Sequence, residues 1–202
     1  MWNILPNMAI TAQTVIQTEF GPFNVSYHKI QNKELISFAQ GDITFGSPIV
    51  RIQSACLFGE AFHSEHCDCA FQLTETMKAI HENQNGVIMY VPFEEGRGVG
   101  LENKIKSMEL ERTKGIDIIA SFKELGFEPD PRNFNISVKA LNDLNLSKEI
   151  KSFSSNPRKR KALEEEGYII RQELEINPSQ LSDLAKKEKQ FKIDNLGYFD
   201  TN

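Results

Sequence analysis

PIVRIQSACLFGEAFHSEHCDCAFQLTETMKAIHENQNGVIMYVPFEEGRGVG, residues 48–100, changes period twice, and those changes set the fold class. It opens on a compact apolar run ending at Cys56. After Cys69 the apolar positions Leu73, Met77 and Ile80 fall on one helical face. Gly86 is expected to stop that helix before the strand VIMYVPF, which runs into glycines 96, 98 and 100. Strand, helix and strand in this order indicate an α/β chain.

On the N-terminal side, TVIQTEF, GPFNVSYHKI, ELISFAQGD and then PIVRIQSAC are short apolar runs separated by turn residues, which reads as an antiparallel meander over residues 14–56. On the C-terminal side strands and helices alternate. LENKIKSMELERTK is helical, with Leu101, Ile105 and Met108 along one side and Gly115 past its end; IIASFKELG repeats the device with Gly126. ISVKALNDL and PRKRKALEEE are further helices, the second opened by Asn156 as cap and Pro157 in its first turn. EIKSF and YIIRQEL bracket that helix as strands. The expected fold is α/β and a single domain: a mixed sheet with an antiparallel N-terminal meander followed by alternating strands and helices. Residues 1–13 form an extension, 14–176 the body, and 177–202 a polar helix with a frayed tail.

At 202 residues, with 25% charged and 40% apolar side chains, the chain is an ordinary globular protein that needs no staples. Twenty-three basic against 28 acidic residues leave a net charge of −5, which excludes coating nucleic acid by bulk charge and makes any anion site local. No run approaches a membrane span, and MWNILPNMAITAQTV lacks the basic start of a signal peptide, so a cytoplasmic protein without membrane or nucleic-acid partners is expected.

Cys56, Cys67 and Cys69 are the only cysteines and lie within fourteen residues. An odd number in a reducing compartment is no disulfide framework. Small thiols can simply fill a core, but HSEHCDC is too polar for that. Three thiolates converging from a strand end and the following loop suit a metal. Structural zinc takes four protein ligands, whereas catalytic zinc takes three and keeps a water. His63, His66 or Asp68 could supply a fourth.

Two further segments suit anions. FEEGRGVGLENK places backbone N–H groups and a helix start near a ligand, with Arg97 inside the loop. NPRKRK sets Arg158, Lys159, Arg160 and Lys161 on the first turns of a capped helix. A three-thiolate metal with two phosphate-compatible loops points to a nucleotide hydrolase.

In order and spacing, SACLFGEAFHSEHCDCAFQL, EEGRGVGLENK, LGFEPDPRNF and SSNPRKRKAL resemble the motifs of the GTP cyclohydrolase II family, over about residues 14–175. The resemblance implies a catalytic domain at 14–176 that opens the imidazole ring of GTP, or of a related purine nucleoside triphosphate, with loss of pyrophosphate and formate in the first committed step toward riboflavin. It implies a homodimer, one Zn2+ per chain on Cys56, Cys67 and Cys69, and Mg2+ with the triphosphate. Arg51, Ser54, Gln72, Glu95, Gly96, Arg97, Ser154 and Lys159 match nucleotide-contacting positions. Asp130 matches the proton acceptor, and Arg132 the arginine proposed to attack the α-phosphorus. A guanidinium is a poor nucleophile, so charge stabilisation is the alternative role for Arg132.

The chain departs from the family at Gln53 and Ala55, usually His and Glu; at Glu94, usually Gln; at Ile118, usually Thr; at Ala70, usually Gly; and at Ser155, usually Asn. Met108 stands where a tyrosine is usual: either it simply packs with Leu101 and Ile105 and the product is the deformylated ribonucleotide plus formate, or the missing hydroxyl leaves a product that keeps its formyl group. The competing readings are a nucleotide-binding homologue with impaired turnover, a cyclohydrolase for another nucleotide, and a structural zinc module.

Overall fold

The computed structural model describes residues 10–174 and 180–199; parts of the expected N-terminal extension and of the tail, residues 1–9, 175–179 and 200–202, lie outside them. The N-terminal strands β1 (Ile10–Thr18), β2 (Gly21–Ile30) and β3 (Lys33–Gln40) form the expected antiparallel meander. Gln31 and Asn32, both at positive φ, close the β2–β3 hairpin in two residues, where the strand twist favours a left-handed pair.

The fourth strand does not continue the meander. β4 (Ile49–Ser54) leads through a short α1 (Leu57–Phe62) and the long α2 (Cys69–Asn83) to β5 (Gly86–Val91), and β5 lies between β3 and β4. Next come α3 (Gly100–Lys114), α4 (Ile118–Glu124), α5 (Asn135–Asn142), β6 (Glu149–Ser152), α6 (Pro157–Glu165), β7 (Ile169–Glu173) and α7 (Asp183–Leu196). The seven strands run β1-β2-β3-β5-β4-β6-β7, antiparallel as far as β5 and parallel from β5 to β7. The reading of residues 48–56 as a meander strand is therefore corrected. Ile49 to Gln53 are all buried, as a parallel strand covered by helices on both faces requires.

Those covers make two cores. On one face α2 packs Ile80, with Leu73 and Met77, onto Phe23, Ile49 and Ile88. On the other, Val138 and Leu141 of α5 and Leu163 of α6 meet Val50, Ile52, Val87 and Met89. Gly86 does not end α2. Gln84 caps that helix at φ 57, and Gly86 opens β5 where a Cβ would lie 2.7 Å from both the Ile49 carbonyl oxygen and Ile80 Cγ1. Gly86→Ala is expected to cost about 1–3 kcal/mol by overpacking, read as a lower midpoint of chemical denaturation; an unchanged midpoint would show that the sheet yields there.

Candidate active site

β4, β5 and β6 end side by side, and the chain leaves β4 toward β5 on one side and later toward β6 on the other. Such a reversal opens a crevice at the carboxyl ends of parallel strands. A cavity of about 230 Å³ lies there, bordered by the segments after β4, β5 and β6 together with α3, α4 and α7.

At one end the three cysteines meet. Cys56 follows β4, Cys69 begins α2, and their sulfurs lie with that of Cys67 within 4.8 Å of one another. Cys56 Sγ and Cys67 Sγ are 3.6 Å apart, close to the ~3.8 Å of two thiolates on one tetrahedral zinc with bonds of about 2.3 Å. Gly59 lets the backbone of α1 approach, since a Cβ there would sit 3.1 Å from Cys67 Sγ and 3.3 Å from Cys56 Sγ. Hydrogen bonds from Cys67 and Cys69 hold the Cys56 thiol well below its ordinary pKa. Its thiolate in turn pushes Cys67 up to about 11. Crowded this way, the three sulfurs ionise together only around a cation, so the donor set fits zinc. None of His63, His66 and Asp68 joins the group: Asp68 is buried and bonded to Gln72 at 2.5 Å, and His66, at the edge of the cavity, bonds Ser64 Oγ through Nδ1 at 3.2 Å.

The loop after β5 turns through Pro92–Gly98 with Gly96 and Arg97 both left-handed, at φ 60 and 58. Glu95 is bent away from the cavity to fix this loop: its carboxylate accepts from Leu57 N at 2.6 Å, Gly96 N at 3.0 Å and Lys104 Nζ at 2.6 Å. Lys104 also donates to Cys56 Sγ at 3.2 Å. α3 then runs along the cavity with Lys104, Met108 and Glu111 facing it. Ile105, expected on the inner stripe with Leu101 and Met108, is 50% exposed, because this helix faces a polar cavity and not the core.

At the other end cations gather. Arg51, buried in β4, donates through Nε to Gln53 Oε1 at 2.5 Å, through Nη1 to the Phe153 carbonyl at 2.9 Å and through Nη2 to Gln72. Lys159 donates to the Ile52 carbonyl at 2.7 Å. Arg132 grips Asp130 with Nε and Nη2, each at 2.7 Å, and reaches Ser54 Oγ at 3.4 Å. Ser54 Oγ donates to Glu94 Oε2 at 2.5 Å, and Glu94 Oε1 is buried without a partner among the described residues. Burial, then the charges of Arg132 and Arg51, lower Lys159 to about 7, and burial raises the Glu94 carboxyl. Although burial opposes it, bonding to Arg132 keeps Asp130 below the usual carboxylate range. Arg132 is held protonated by the same pair.

Of the residues singled out by sequence, the three cysteines, Arg51, Ser54, Gln72, Gly96, Arg97, Met108, Arg132, Ser154 and Lys159 line the cavity, as do the departures Gln53, Ala55, Glu94, Ile118 and Ser155. Glu95 and Asp130 stand behind this lining. Of the four basic residues in NPRKRK only Lys159 enters, since helical steps carry its neighbours around: Arg158 bonds the Arg132 carbonyl at 2.5 Å, and Arg160 pairs with Glu164 and Glu173 at 2.9 Å each. The expected solvated tail also reaches the site. Ser182 caps α7, which sends Lys192 to Asp68 at 3.5 Å and Glu188 to Arg97 at 3.5 Å, while Tyr198 accepts from Arg132 at 3.1 Å and from Asn156 at 2.8 Å. The sequence signalled Lys104 through its place in the LENK stretch, but nothing marked Glu111, Lys192 or Tyr198.

The sequence model of the GTP cyclohydrolase II family matches residues 9–175. A GTP cyclohydrolase-2 of Archaeoglobus fulgidus is 35% identical over 186 residues, 91% of this chain and 49% of that protein. The riboflavin biosynthesis protein RibBA of Bacillus subtilis is 36% identical over 187 residues, 91% of this chain and 46% of that protein. A GTP cyclohydrolase-2 of Actinobacillus succinogenes is 34% identical over 192 residues, 94% of this chain and 82% of that protein. The chain thus spans about half the length of the first two relatives.

Lys159 allows a test that needs no turnover. Its pKa near 7 means that an anion bound beside it raises that pKa and draws in a proton between about pH 7 and 10. Calorimetric titration with inorganic tripolyphosphate at pH 8, in buffers of different ionisation enthalpy, is expected to show uptake of up to about one proton per chain. The uptake should fade toward pH 6 and vanish in Lys159→Arg. Equal uptake in that variant would place the proton elsewhere.

Proposed function

The chain belongs to the GTP cyclohydrolase II family, and on that premise we propose that it is a zinc-dependent hydrolase opening the imidazole ring of GTP with release of pyrophosphate. The observation that supports this reading is the cavity itself, with three thiols at one end and Arg51, Arg132 and Lys159 at the other. A purine triphosphate has the matching polarity, a ring carbon to be attacked and a polyanion to be held.

Cys56, Cys67 and Cys69 would hold one zinc per chain, and a zinc on three thiolates would supply a water acid enough to ionise near neutral pH for attack on the carbon between the imidazole nitrogens. Arg51 and Lys159, with Ser154, hold the phosphates, and Ser54, Gln72, Gly96 and Arg97 complete the nucleotide contacts. Mg2+ would enter with the triphosphate and would help neutralise its charge. Pyrophosphate leaves when water cleaves the bond between the α-phosphorus and its bridging oxygen. Arg132, kept cationic and aimed by Asp130, stabilises charge on the transferring phosphoryl group and does not attack it. Asp130 serves first as the anchor of that guanidinium. Homodimerisation belongs to the same proposal, and β1, exposed along nearly its whole length, is a surface available for it.

The ring opens to a formamide, and a second water would release formate. Met108 lines the cavity with a thioether that has no proton to give, whereas a positioned acid or base is worth about 100 to 10,000-fold. The proposed product therefore keeps its formyl group as a formamidopyrimidine ribonucleotide. Incubation with GTP is expected to release pyrophosphate without formate, and Met108→Tyr to restore some formate; stoichiometric formate from the unchanged protein would refute the formyl-retaining product. Each single Cys→Ser variant at 56, 67 or 69 should lose zinc and turnover together, measured by metal analysis and pyrophosphate release, and full zinc content in all three would overturn the metal assignment.

A further inference from the structure

We propose that Lys104 is a positioning residue for the cysteine centre: its ammonium, locked against Cys56 Sγ, offsets the negative charge that three thiolates leave around a divalent metal. The inference rests on the zinc part of the reading above. Two positive charges against three thiolates leave one negative charge over. Thiolates also donate electron density freely, so three of them blunt the metal as an electrophile. A cation bonded to one sulfur draws density back and brings the cluster to neutrality.

Lys104 Nζ donates to Cys56 Sγ at 3.2 Å and to Glu95 Oε1 at 2.6 Å, and it stands 5.1 Å from the centre of the Phe58 ring. Among the described residues it is the only cation bonded to a cysteine sulfur. Only 18% of its side chain is exposed, so water and salt screen these contacts little. The anchor is fixed in turn, because the Glu95 carboxylate also accepts from Leu57 N and Gly96 N. The loop closes on the lysine stem as well, since a Cβ on Gly96, at φ 60, would lie 3.0 Å from Lys104 Cβ. α1, the loop after β5 and α3 thus hold a long, flexible cation at one sulfur.

A plainer role for this lysine is to pair with Glu95 and steady the loop. The two roles differ in what the sulfurs feel. A loop brace acts on backbone positions alone and leaves the electron density on Cys56 untouched, whereas an N–H···S bond makes Cys56 a weaker donor than an unbonded thiolate. The direct contact at 3.2 Å favours the second role.

Cobalt substitution reads the sulfurs directly, because thiolate-to-cobalt charge-transfer absorption falls in energy as a thiolate becomes a stronger donor. Lys104→Met keeps a stem for Gly96 to pack on and removes the charge and the donor. In the full chain loaded with Co2+ in place of zinc, this variant is expected to move the band to longer wavelength at unchanged metal content. The same variant loaded with zinc should release pyrophosphate about 10- to 100-fold more slowly, in kcat and not in KM. Should Lys104→Met fail to take up metal, Glu95→Gln, which leaves the ammonium but loosens its anchor, is expected to move the band in the same direction by less. An unmoved band in the cobalt-loaded variant would overturn the inference and leave the zinc assignment standing. Failure of the unchanged chain to bind either metal would overturn the zinc assignment and this inference with it.

Discussion

A guanidinium buried in the central strand of a sheet has to be satisfied from every side, and Arg51 sets this requirement. Burial lowers its pKa to about 10, so it is charged at any physiological pH and every donor needs an acceptor. The acceptors come from three elements: Gln53 on its own strand, the Phe153 carbonyl at the end of β6, and Gln72 on α2. Gln72 passes the demand to Asp68, Asp68 to Lys192 on α7, Lys192 to Glu188, and Glu188 to Arg97 in the loop after β5. One buried charge thereby ties the main walls of the cavity into a single hydrogen-bonded circuit.

The same circuit explains two of the departures from the family pattern. Gln53 is fully enclosed, receiving from Arg51 and donating to Glu60 at 2.6 Å, while Tyr90 donates to the other Glu60 oxygen at 2.6 Å. An amide cannot titrate, so the direction of this relay is fixed, whereas an imidazole would exchange protons with its neighbours. Glu94 works the opposite way. Placed beside Lys159, it adds a titratable group where an amide is usual, and the pair can meet a substrate either as ions or as neutral partners.

Local signals carried most of the element boundaries and the cysteine end of the cavity. Asn156 and Pro157 open α6 as their types require, and the Cys-x10-Cys-x-Cys spacing delivers three sulfurs to one point. What escaped was non-local. The partner of β4 is decided by burial on both faces, which a run of six residues shows only weakly beside three similar runs. The inner face of α3 is polar because it looks into a cavity, so its apolar stripe misled. α7 has the composition of a solvated helix, and only tertiary contacts turn Glu188, Lys192 and the following Tyr198 inward.

Such distances along the chain have a consequence for the order in which the molecule can be made. The hairpins of the meander close over two-residue turns, while Arg51 meets Phe153 across 102 residues, Lys159 meets Ile52 across 107 and Lys192 meets Asp68 across 124. Closing those loops costs more chain entropy and is rewarded only once the intervening helices are in place. The cavity is therefore the last part of the molecule to acquire its shape, and a nascent chain has nearly all its sheet before the walls of that cavity can meet.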